Sequence, residues 1–134
     1  MKALFTVIAV IEVGAGLGML AVPSSVGTIL LGSPLNTPVE LIIARVTGVA
    51  LLALAVACWL ARDDGKSRAA RGLVSAMLLY DAGAVTVLLY AGTGLGLAGV
   101  GLWPGVLVHA AIAAWCTIVL FGANHRTSEV RLEK

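Results

Sequence analysis

The amino-acid sequence predicts an all-α integral membrane protein: a four-helix bundle with antiparallel neighbours and both termini on the cytoplasmic side. Three observations carry this expectation. Hydrophobic residues make up 60% of the 134 residues and charged ones 12%, against about 45–50% and about 25% in ordinary soluble domains. A chain this short has too little interior to hide that surplus from water. Four runs reach the length of about 20 mostly apolar residues that a bilayer crossing requires: Ala3 to Val22, Pro38 to Ala61, Gly72 to Ala91 and Trp103 to Phe121. The cations, finally, gather in alternate segments. Lys2 precedes the first run, Arg62, Lys66, Arg68 and Arg71 lie between the second and third, and Arg126, Arg131 and Lys134 follow the fourth, whereas 23–37 and 92–102 carry no charge. Cytoplasmic loops are the ones enriched in Lys and Arg, so both ends and the central link are expected inside. The same composition excludes a disordered chain, and two cysteines are too few for a disulfide scaffold.

The first span holds Glu12 in its middle and lacks a small-x-small cleavage site ahead of Pro23, so it reads as a retained helix rather than a secretory leader. Ser24 to Gly32 is apolar at Val26, Ile29, Leu30 and Leu31 but too short to cross, which suits a short helix lying in the interface. Thr37, Pro38 and Glu40 open the second span as a capping box. Thr37 accepts from the Glu40 amide, Glu40 reaches back, and Pro38 fills a position that needs no donor; Glu40 is thereby a structural acid. Gly65 and Gly122 stand where the second and fourth spans should end. Residues 92–105 are glycine-dense and apolar, a hydrophobic loop or a frayed extension of the third span, without the strand and lysine of a phosphate-binding loop. Pro104 fits the first turn of the fourth span. Tyr90 and Trp103 fall at the outer interface and Trp59, Trp115 and Phe121 near the inner one, as an aromatic belt requires. Residues 1–122 are expected to form the membrane domain and 123–134 a short polar cytoplasmic tail.

Glu12, Arg45, Asp81 and His109 fall one per span, well inside the apolar runs. On insertion scales Asp, Glu or Arg at mid-helix costs about 2.5–3.5 kcal/mol, so such side chains turn toward protein or water and find partners. Small residues stand near them at helical spacing: Ala15 and Gly16 for Glu12, Gly48 for Arg45, Ala84 for Asp81, Gly105 and Ala113 for His109. Such residues let membrane helices approach closely. Counting along the helices, Arg45 and His109 lie about 9–10 Å from their outer ends and Glu12 and Asp81 about 14–16 Å. An extended Arg side chain spans that difference; snorkelling to the outer surface is the other course open to Arg45. A low-dielectric site resists two uncompensated negative charges, so Glu12 and Asp81 sharing one cation would titrate as a coupled pair. Such a cluster is either a static clasp that fixes helix register or a site that exchanges a proton.

The stretch VIAVIEVGAG, Val7 to Gly16, resembles the first helix of small multidrug resistance transporters. There a mid-membrane Glu followed by Val, with a Gly nearby, exchanges protons for cationic drugs inside a homodimer of four-helix subunits. The resemblance covers about one helix and implies that Glu12 is the carboxylate shared by proton and substrate; Arg45 and Asp81 have no counterpart in that family. The layout of the chain as a whole resembles small four-helix bacterial inner-membrane proteins, which implies no particular activity.

Cys58 and Cys116 lie in the cytoplasmic third of their spans without a C-x-x-C pattern, as two small buried hydrophobes in a reducing compartment. His109 lacks a second intramembrane histidine with which to hold a haem, His125 being in the tail, and no cofactor or metal is expected. Tyr80 is expected on a different helix face from Asp81, with Ser75 and Thr86 as hydrogen-bond donors between helices. No nucleophile and base pair into a catalytic constellation, and the scattered cations form no nucleic-acid face. The sequence therefore reads first as a non-enzymatic accessory or structural component of the inner membrane. Its Glu12, Arg45, Asp81 and His109 form an internal polar cluster, its outside meets the lipid bilayer, and the Gly14 to Gly18 face is available to a second copy or another membrane protein. The alternative is a small proton-coupled transporter of a small or cationic solute. A cavity reaching the carboxylates separates the two.

Overall fold

The computed structural model describes residues 1–64 and 67–132, with side chains through 122. Among these residues there is no strand; the order is α1 (Lys2–Ala21), α2 (Pro23–Leu31), α3 (Pro38–Ala61), α4 (Arg68–Thr93) and α5 (Leu102–Leu132). Helices α1, α3 and α4 and the Leu102–Gly122 stretch of α5 are long and apolar enough to cross a membrane, so the chain is a multi-pass membrane protein.

Each boundary has a local cause. Pro23 cannot continue α1 and instead starts α2, so Ser24 to Gly32 is a helix as the sequence suggests. At its end Gly32 takes φ 75°, a left-handed turn that glycine adopts without strain. The capping box of α3 is complete: the Glu40 amide donates to Thr37 Oγ1 at 3.2 Å and Glu40 Oε2 accepts from the Thr37 amide at 2.8 Å. Helix α4 begins at Arg68 rather than Gly72 because Ser67 caps it, its hydroxyl accepting from the Ala70 amide at 3.0 Å. It runs to Thr93, after which 94–101 form the glycine-rich loop. One expectation is corrected. Helix α5 passes through Gly122 to Leu132, so Gly122 ends nothing and the backbone of 123–132 continues the helix; a glycine lowers helix stability but stops the helix only where the chain turns left-handed. Gly65, expected to close α3, lies outside the described residues together with Lys66, Glu133 and Lys134.

Helix α1 lies along α3 and α4 along α5. Lipid tails are as apolar as the side chains, so helices in a membrane gain little from leaving them and associate through close packing. The α1–α3 contact is built that way. A Cβ on Gly16 would meet the Gly48 carbonyl oxygen at 2.9 Å, and one on Gly48 would meet that of Gly16 at 2.8 Å. Near the N-terminal end of α1 the two pairs share a core of Leu4, Phe5, Ile8, Cys58, Met77 and Cys116. Both cysteines are buried there as free thiols. At the same end Lys2 Nζ pairs with Asp63 Oδ1 at 2.7 Å, which sets the N-terminus beside the α3–α4 link. At the opposite end the glycine-rich loop fastens onto α2, the Gly101 amide donating to the Ile29 carbonyl at 2.8 Å. Outward faces remain apolar, with Val10, Ile42, Val46, Leu79 and Leu107 all exposed, as contact with lipid requires.

Candidate functional site

Three of the four intramembrane ionisable residues turn inward. Glu12 on α1 is 1% exposed and Asp81 on α4 is 0% exposed, the two buried charged residues among the described ones. Each stands on the buried stripe of its helix, Glu12 between Ala9 and Gly16 and Asp81 between Met77 and Leu88. His109 on α5 faces them: its Nδ1 lies 2.7 Å from Asp81 Oδ1. With the Asp81 carboxylate accepting, Nδ1 carries the proton and donates; Nε2 is then an acceptor in the neutral form of the ring and a donor in the charged form. Glu12 Oε2 and Asp81 Oδ2 are buried with no hydrogen-bond partner among the described residues.

Arg45 does not join them. It is exposed on α3 and makes no ion pair among the described residues, which corrects the expected four-residue cluster. The stripe that α3 buries is Ala44, Gly48, Leu51, Ala55 and Cys58, and Arg45 stands about 100° round the helix from Ala44. An Arg side chain leans toward its own helix N-terminus, here the nearer end of α3, so lipid headgroups are within easier reach than the bundle centre.

Tyr80, about 100° round α4 from Asp81, packs edge-on against His109, with ring centroids 5.7 Å apart at 79°, and so belongs to the site. Its sequence signal was adjacency to Asp81: a ring that size, one position from a buried acid, reaches the residue facing that acid. Ser75 and Thr86 do not link helices. Each hydroxyl donates to the carbonyl four residues back in its own helix, Arg71 at 3.1 Å and Ala82 at 2.9 Å, the usual way such residues satisfy themselves inside a helix.

A cavity of about 370 Å³ lies beside this trio, lined by residues of all five helices, among them Gly14, Ala15, Thr47, Tyr80, Ala84 and His109. That volume falls at the small end of the range of ligand pockets. His109, with a 19% exposed side chain, is the member of the trio that meets the cavity; the two carboxylates stand behind it. The arrangement is an imidazole held by a buried carboxylate, with a second carboxylate close by and an apolar chamber in front. Such a group can accept a proton from the chamber side and share it with the acids. Among the described residues no cluster of three His, Cys, Asp or Glu side chains is arranged to hold a metal ion. The chain matches no family model, no curated protein and no solved structure.

Proposed function

We propose that this protein is a small proton-coupled carrier of the cytoplasmic membrane, with both termini inside, in which His109, Asp81 and Glu12 handle the proton and the adjoining cavity holds the solute. The observation that carries this reading is the position of His109: it touches both the cavity and Asp81, and each carboxylate has an oxygen without a partner among the described residues. An arrangement kept for stability alone would satisfy its buried oxygens, because each unpaired one costs about 1–3 kcal/mol. Intramembrane acids retained at that cost mark proton and ion pathways in pumps and carriers. The position of Glu12 in the first span, and its resemblance there to the proton carboxylate of small multidrug resistance transporters, agree with the same role. The alternating cations support the orientation.

A second reading, an accessory component with a static polar clasp, draws on the Asp81–His109 bond, which ties α4 to α5, and on the cavity, which ends at His109 and does not reach the carboxylates. It leaves Glu12 without a task. Vesicles containing the purified protein and an internal pH dye decide between the two when lipophilic alcohols and amines are added in turn. A carrier gives solute-driven proton movement that disappears in Asp81→Asn and Glu12→Gln. No movement with any solute, together with weakened bundles in both variants, leaves the clasp.

A further inference from the structure

Two features of the cavity bear on what it holds and how it is reached. The first is the polar equipment. Apart from His109, the lining is apolar but for Tyr80 and Thr47. Thr47 spends its proton on the Ile43 carbonyl at 2.9 Å, whereas the Tyr80 hydroxyl has no partner among the described residues. With the imidazole neutral, the lining residues offer one nitrogen acceptor, His109 Nε2, and one O–H donor, Tyr80, on rings whose centroids are 5.7 Å apart. A hydroxyl both donates and accepts, so a single alcohol or phenol group satisfies the pair. An ammonium group cannot accept from Tyr80, and with both carboxylates sealed away it would sit desolvated without a counter-charge. A carboxylate cannot donate to His109 and would face the buried acids.

The second feature is the opening. Helix α2 lies across one end of the chamber through Val26 and Leu30 and is held there by the Gly101–Ile29 bond. On the side, α1 and α4 are not among the pairs in extensive contact. Their facing residues are small or exposed: Gly14 and Ala15 are exposed, a Cβ on Gly14 would meet nothing within 4 Å, and Val87 is 66% exposed. The seam therefore gives onto the apolar outer surface rather than onto water.

We infer that the cavity takes a lipid-borne molecule with an apolar body and one hydroxyl head, admitted sideways from the bilayer between α1 and α4 and bound by His109 and Tyr80. This names the solute class of the site proposed above and rests on that cavity being the solute site, but it requires binding and not transport. The test is photolabelling in lipid nanodiscs with diazirine-bearing decanol, compared with diazirine-bearing decanoate, and with labelled peptides mapped by mass spectrometry. The alcohol should label cavity-lining peptides of α1 and α4 saturably, be displaced by plain decanol, and exceed the carboxylate by about tenfold, the discrimination one hydrogen bond supplies. Gly14→Leu should close the seam and reduce labelling severalfold. Gly83→Leu, at another open glycine with nothing within 4 Å but off the cavity, should leave it unchanged. Tyr80→Phe should narrow the preference for alcohol over carboxylate. Labelling that does not saturate, that spreads evenly over outward faces, that is equal for both probes, or that survives Gly14→Leu overturns the inference. Saturable labelling without solute-driven proton movement overturns the carrier reading instead and leaves this one standing.

Discussion

Glu12 gives up stability for its position. Its Oε2 is buried without a partner among the described residues, and exchanging such a group for an apolar one of similar shape is neutral or stabilising. Glu12→Met is expected to raise resistance to unfolding by about 1–3 kcal/mol, measured by titration from mild detergent into SDS, while abolishing solute-driven proton movement; a less stable variant would show that Glu12 is paired. The Asp81–His109 bond behaves in the opposite sense. His109→Phe strips a buried carboxylate of its partner and is expected to cost about 3 kcal/mol in the same titration, more than Asp81→Leu, which removes the acid as well. The inward turn of Glu12, Asp81 and His109 was legible from the expense of charge in lipid and the small residues spaced around each. Arg45 was misplaced because depth along a helix says how far a side chain can reach and not which way the helix is rotated. The repeat Ala44, Gly48, Leu51, Ala55, Cys58, read by itself, already passes beside it.

Helix limits were most legible where side chains cap them. Thr37 and Glu40 fix the start of α3, and Ser67 announces the start of α4 to anyone who weighs the cap before the hydropathy. Apolar length alone missed that turn, and the glycine at 122 misled because local propensity is outweighed by the helix on either side. Packing between helices gives a sharper test. Gly48→Ala must push the Gly16 backbone away and is expected to cost about 1–3 kcal/mol in the SDS titration, whereas Gly14→Ala, with open space around it, should be neutral or stabilising by up to about 1 kcal/mol. At the link, the Lys2 ammonium bound to Asp63 holds its carboxyl below the ordinary value of 3.8. A depressed acid lends its stabilisation above its unfolded value and loses it as pH falls through the folded one. The tie of α1 to the α3–α4 link should therefore hold at neutral pH and weaken as pH falls below 3.8. A carboxyl ¹³C titration of Asp63 with its midpoint at or above 3.8 would contradict it.

The bundle as an assembly was half legible. Its spans and their number followed from length and hydropathy, but the pairing of α1 with α3 and of α4 with α5, and hence the chamber between the pairs, depends on which small residues meet across space, which a single chain's spacing leaves open. Topology can be checked because both native thiols are fully buried and silent toward maleimides. An impermeant maleimide is expected to label Ser33→Cys on intact cells and Asp64→Cys only after permeabilisation; the reverse pattern would invert the orientation. The Gly16–Gly48 contact carries one more implication. Helices α1 to α3 all precede residues 62–67 and α4 and α5 follow them, so the division in space coincides with a division along the chain. A gene cut at that link would yield two polypeptides, one bringing Glu12 and the other Asp81 with His109. Neither fragment would hold Glu12, Asp81 and His109 together, and co-expression alone would reunite them, with reassembly itself as the assay.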